Sequence, residues 1–169
     1  MGLVTGVAKQ LSRHSRMRSA RRLVLVLGDQ LDVDHPGLED FDRGQDAVLM
    51  VEAREEAERP ASHVQRTTLF LSAMRHYALD RIGEGVRVRY VRLDDRSNRH
   101  SLGGELLRAI DTLGPETVRV VQPGDHRVLG AIRDATGEKN MPLDVLPDPT
   151  FTCTLEEFDR WADDGRKEL

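Results

Sequence analysis

Three groups of side chains have the types and spacing to do chemistry. Gly28-Asp29-Gln30-Leu31 follows an apolar run, Glu52 with Glu55 and Glu56 follows a second, and Pro123-Gly124-Asp125-His126-Arg127 follows a third. A glycine at the end of a buried strand lets the backbone turn sharply and approach a ligand. Asp29 then offers an acceptor, and Gln30 both a donor and an acceptor. Paired carboxylates such as Glu52 and Glu56 suit acid–base work, although glutamates are equally common on solvated helix starts. A turn such as 123–127 that opens a helix presents free N–H groups to an anion or a polar ring, unless Asp125 simply caps the helix.

Other chemistries are disfavoured. The six histidines show no metal-ligand spacing, and the single cysteine, Cys153, allows neither an intramolecular disulfide nor a cysteine-anchored cluster. Cys153 is expected half-buried near a strand end. A Gly-x-Ser-x-Gly elbow, a Walker loop and a Gly-x-Gly-x-x-Gly after the first strand are all absent from the sequence. Catalysis by this chain alone is not expected.

These groups must be held by an alternation of strands and helices. Leu23 to Leu27 and Ala47 to Val51 are apolar at every position, as in central parallel strands covered on both faces. Val86, Val88, Tyr90 and Val91 alternate with arginines and read as a strand nearer an edge. Thr117 to Val121 and a weaker Leu143 to Leu146 complete five. Between them, His63 to Ile82, the stretch from Leu102 to Leu113, and Val128 to Ala135 repeat apolar residues every three or four positions. Thr154 and Glu157 form a capping box that opens a last helix through Phe158 and Trp161. The pattern predicts a Rossmann-like, doubly wound five-stranded parallel sheet with helices on both faces. With strand order 3-2-1-4-5, the loops after strands one and four face each other across the ligand crevice.

At 169 residues there is material for one domain. The longest apolar run is too short to cross a bilayer, and no secretory signal is evident, so a cytoplasmic protein is expected. Charge is uneven. Residues 1–22 hold Lys9, Arg13, Arg16, Arg18, Arg21 and Arg22 with no acid, leaving 19 basic residues against 29 acidic ones in the remainder. Residues 1–21 read as a disordered basic leader, and 22–169 as the domain. So acidic a body is not expected to bind DNA by charge alone.

Taken together, Leu23 to Leu31, Leu69-Phe70-Leu71-Ser72-Ala73-Met74-Arg75-His76-Tyr77-Ala78 and Pro123 to Val128 resemble the photolyase-related proteins of the cryptochrome/photolyase superfamily, including its iron–sulfur bacterial members. Phe158-Asp159-Arg160-Trp161-Ala162 and Gly165-Arg166-Lys167 extend the resemblance. It implies an N-terminal α/β antenna domain holding a ribityl-lumazine. FAD, a four-cysteine iron–sulfur cluster and light-driven DNA repair would belong to a helical domain and are not expected in this chain. The resemblance places Gly28, Asp29, Gln30, Glu52, Glu56 and Phe70 at the chromophore, and the two facing loops and the helix face add Leu31, Met74, Gly124 and Asp125 to the expected site. Relatives often carry an aromatic and a His-His-Lys-like string where this chain reads Glu58-Arg59-Pro60-Ala61-Ser62-His63-Val64. Two other readings stay open: a small nucleotide-binding α/β protein, and a truncated non-catalytic domain that pairs with itself or with a helical FAD domain.

Overall fold

The computed structural model describes Gly6, Leu11 and residues 17–55 and 63–165. Five strands, β1 (Arg22–Leu25), β2 (Ala47–Val51), β3 (Val88–Val91), β4 (Thr117–Val121) and β5 (Leu143–Leu146), form one sheet in the order β3-β2-β1-β4-β5. Every pairing is parallel. Four α-helices accompany them among the described residues: α1 (Val64–Gly83), α2 (Leu102–Leu113), α3 (His126–Glu138) and α4 (Leu155–Gly165). This is the expected doubly wound, Rossmann-like sheet, with the arginine-bearing β3 at an edge.

Alternation along each strand builds two cores. Leu23, Leu25, Ala47, Leu49, Val118 and Val120 face α2 and α3, whereas Val24, Val26, Val48, Met50, Val88 and Tyr90 face α1. Strands covered on both sides must be apolar at every position, which is why β2 reads as an unbroken hydrophobic run. Local signals set the helix ends. Ser101 Oγ accepts from Gly104 N–H at 3.1 Å to open α2, and Gly114 closes it in the left-handed region at φ 53°. Thr154 and Glu157 exchange bonds in the predicted capping box (Thr154 N to Glu157 Oε2, 2.8 Å; Glu157 N to Thr154 Oγ1, 3.2 Å).

The amino ends of the strands are locked by charge. Asp46 is fully buried and accepts from Arg21 Nε at 3.0 Å and Arg22 Nη2 at 2.8 Å. Arg22 also reaches both Asp40 oxygens at 2.9 Å, and Asp40 and Asp144 pair with Arg119. β1 therefore starts on a buried arginine, one residue before the apolar run.

The domain takes in residues upstream of Arg22. Leu11 is buried in the α1-side core, Met17 packs against the other, and Ala20 N–H donates to Leu113 O at 3.0 Å. Residues 1–5, 7–10 and 12–16 of the expected leader lie outside the described residues. Cys153 departs from expectation: it is exposed, because the turn after β5 runs outside the sheet's cover.

Candidate functional site at the carboxyl end of the sheet

The loops after β1 and β4 meet as the strand order requires. Gln30 turns back from β1, and its Nε2 donates to the carbonyls of Val121 (3.3 Å) and Gln122 (3.1 Å) at the end of β4. Beside this tie lies a cavity of about 320 Å³, in the size range of small-molecule sites. Gly28 and Asp29 form one wall, Met74, Leu71, Phe70, Thr67 and Arg66 of α1 another, and Pro123, Asp125, Arg127 and Val128 the third; Leu102 and the ends of β1 and β2 lie between them. A β-carbon on Gly28 would meet the Met74 sulfur at 3.0 Å, so the slot's width depends on this glycine.

Of the ten residues expected at the site, Gly28, Asp29, Glu52, Phe70, Met74 and Asp125 line the slot. Gln30 braces it from behind. Leu31 is half-buried and packs into the α1-side core, off the slot. Gly124 is not on the lining; a β-carbon there would stand 3.8 Å from the Phe151 ring. Glu56 and residues 58–62 of the departing segment lie outside the described residues, whereas His63 and Val64, its last two, open α1.

Glu52 reaches the slot but its carboxylate is fully engaged. Oε1 accepts from Arg75 Nε (2.6 Å) and the Tyr90 hydroxyl (2.7 Å), and Oε2 from Arg75 Nη2 (2.8 Å) and Leu93 N–H (2.7 Å). A carboxylate accepting four bonds has little left for a ligand. It joins β2, β3 and α1 and fixes the slot's floor. The Arg75 pKa is raised, chiefly by its hydrogen bonds to Glu52. Burial together with the Glu52 charge pushes the Tyr90 hydroxyl well above its ordinary value.

Asp125 is the N-cap of α3, as its simplest reading had it. Its Oδ1 accepts from Arg127 N–H at 2.9 Å, and the Arg127 guanidinium closes on the same carboxylate. These bonds hold the Asp125 carboxyl at about 2. Glu55 is used in the same way: its Oε1 accepts from Leu102 N–H, at the start of α2, at 2.5 Å.

Arg66, Thr67 and Leu102 were not anticipated as lining residues. The first two follow from helical spacing, since residues three or four before Phe70 and Leu71 share their face. Leu102 is the first residue of α2 and needed the tertiary fold to be placed. The Arg66 guanidinium lies over the Phe70 ring at 5.4 Å. Among the described residues no cluster of histidine, cysteine or acidic side chains could hold a metal, and no helix is long and apolar enough to cross a membrane.

Sheet and slot define a doubly wound α/β domain with a ligand-sized recess at its switch point. Residues 24–169 match the family described as deoxyribodipyrimidine photo-lyase-related protein, and the chain belongs to that family. It is also similar to a (6-4) photolyase of Agrobacterium fabrum (strain C58 / ATCC 33970), 40% identical over 148 residues. That match takes in 88% of this chain and 29% of the relative, so the chain spans less than a third of the relative's length.

Proposed function

We propose that this domain holds an antenna chromophore of the ribityl-lumazine type and passes its excitation to a flavin in a light-driven photolyase or cryptochrome system. The supporting observation is the slot between Gly28, Met74 and Phe70. It is apolar where Met74, Leu71 and Phe70 of α1 stand, and polar where Arg66, Thr67, Asp29 and Asp125 stand. A bicyclic ring suits such walls, with hydroxyls at the wet edge. The absent β-carbon of Gly28 leaves room for the ring face against the end of β1.

In this reading the chain's residues form no covalent bond with the chromophore and move no proton. The chromophore supplies near-ultraviolet absorption when bound. Met74 and Phe70 exclude water from one side of it, and the saturated Glu52–Arg75 pair keeps α1 at a fixed distance from the sheet. Rigid walls favour emission or transfer over non-radiative loss. FAD, an iron–sulfur cluster and DNA contacts are assigned to a helical domain, as the resemblance implies. The exposed Phe158 and Trp161 of α4, 52% and 71% accessible with ring centroids 5.8 Å apart, fit a face covered by such a domain. A cytoplasmic location goes with this role.

The experiment is absorption and fluorescence spectroscopy of the purified chain, before and after mixing with ribityl-lumazine. A near-ultraviolet band that co-elutes with the protein and disappears in Gly28→Trp supports the reading. A colourless protein that takes up no ribityl-lumazine overturns it.

A further inference from the structure

The β3 edge of the sheet carries an arginine excess in an otherwise acidic body. Residues 87–108 hold six arginines against three acids. Three of the six are engaged within the fold. Arg87 donates to the carbonyls of Ser19, Gly44 and Asp46, and Arg92 pairs with Asp94. Arg108 of α2 pairs with Glu105 and donates to Ser97 O at 2.8 Å. Arg96 and Arg99 are exposed on the loop that leads to α2. Arg89 differs from all of these. It is half-buried, and its guanidinium forms no hydrogen bond or ion pair among the described residues.

Its placement follows from the strand. Val88 and Tyr90 enter the α1-side core, so Arg89 between them projects from the opposite face, level with Leu49 of β2 on the side that α2 covers. Arg108 is its charged neighbour there. Burial first, and then the Arg108 charge, lower the Arg89 pKa, with Glu105 opposing them. An arginine nonetheless stays charged at any physiological pH. Glu105 is fully buried and also accepts from Arg99 N–H at 2.8 Å, so one committed carboxylate stands against two guanidiniums. Arg108 Nε is itself buried without an acceptor among the described residues. A half-buried cation lacking a counter-charge, beside a second cation, is costly to keep. An inward-pointing charge does protect an edge strand from pairing with other chains. That role asks for one charge, not for a second beside it.

We infer that Arg89 and Arg108 form an oxyanion site at the β3–α2 edge, and that its ligand is a phosphate group. Neither residue lines the recess at the carboxyl end of the sheet, so this is a separate site. Two guanidinium forks can donate to different oxygens of one tetrahedral anion, whose charge replaces their repulsion with attraction. Arg96 and Arg99 on the adjoining loop add longer-range attraction. The group can arrive as free phosphate or as part of a phosphodiester.

Isothermal titration calorimetry of the full chain at low ionic strength tests this, with inorganic phosphate in one arm and a short single-stranded oligonucleotide in the other. Saturable binding of at least one probe is expected. It should weaken at least about tenfold in Arg89→Gln, and less in Arg89→Lys, which keeps the charge but loses the fork. Arg160→Gln, on exposed α4, should leave it unchanged. Phosphate bound without the oligonucleotide identifies the free anion as the ligand. An oligonucleotide bound more tightly, and displaced by phosphate, identifies the phosphodiester. Without either probe, Arg89→Gln should be no less stable to urea than the unaltered chain, because no partner is lost. No saturable binding of either probe, or binding equally strong in Arg89→Gln, overturns the inference and leaves Arg89 as an edge charge alone.

Discussion

The Met74 sulfur lies 3.0 Å from the point where a β-carbon on Gly28 would stand, and the slot exists because that carbon is missing. α1 can therefore approach the end of β1 closely enough to leave a ring-sized gap rather than an open cleft. Gly28→Val should fill this gap and weaken ring binding at least tenfold, at a cost of about 1–3 kcal/mol in stability because the buried Met74 side chain must give way. Adding Met74→Ala to Gly28→Val should restore part of the lost affinity, since it removes the atom the new methyls meet. A titration series on the four proteins checks this. Additive losses would show that the two residues do not share the slot.

The architecture was legible from sequence because its signals are local. β2 to β5 emerge from apolar or alternating runs, Gly114 ends α2, and Thr154 with Glu157 opens α4. The order 3-2-1-4-5 then brings the loops after β1 and β4 together. What could not be read was set by partners distant in sequence. Arg22 starts a buried strand because Asp40 and Asp46, 18 and 24 residues away, neutralise it. Glu52 lines the slot, but the groups that engage it, Arg75 on α1 and Tyr90 on β3, are 23 and 38 residues away. Leu31 looked like part of a ligand loop, yet an apolar residue after a tight turn was drawn into the nearer core.

The Glu52 cluster should act as a structural pin. The carboxylate is fully buried and Arg75 is 28% exposed in its side chain. Glu52→Ala leaves a guanidinium and a tyrosine hydroxyl without their acceptor, and should cost about 3–5 kcal/mol. Tyr90→Phe removes one bond and should cost about 1 kcal/mol. Urea denaturation of the two variants checks the ranking. Equal losses would mean that the ion pair adds nothing beyond a neutral hydrogen bond.

His35 should make stability fall in mildly acidic solution. Its ring is 2% exposed, and Nδ1 accepts from Gly37 N–H at 3.1 Å to cap the short 3-10 turn Pro36–Leu38. Burial lowers its pKa, against the opposing pull of Asp32 and Asp148. The unfolded chain therefore takes up a proton that the folded one resists, and stability is lost as pH drops below the ordinary value of 6.5. His35→Asn retains an acceptor for the cap and should flatten the dependence between about pH 7 and 5. Denaturant midpoints at several pH values would show it; an unchanged slope in the variant would assign the loss to other groups.

Asp46 governs a second, more acidic window at the opposite end of the sheet from the slot. Burial drives its carboxyl upward, but hydrogen bonds from Arg21 and Arg22 prevail and bring it from 3.8 down to about 2. Because the folded value is the lower one, the unfolded chain binds the extra proton. The stabilisation is complete above the unfolded value and disappears as pH falls from about 4 to about 2. The shift corresponds to roughly 2 kcal/mol. Asp46→Asn should remove this portion of the acid transition and also destabilise the chain at neutral pH, since it leaves the buried Arg22 with only the exposed Asp40 carboxylate. The loss falls on the amino ends of β1, β2 and β4, so ring binding at the carboxyl ends should survive while the variant remains folded. Acid titration followed by far-ultraviolet circular dichroism, alongside a ligand titration at pH 7, separates the two ends of the molecule. A variant that stays folded at pH 7 but no longer binds the ring would show that the charge lock and the slot are coupled through the sheet.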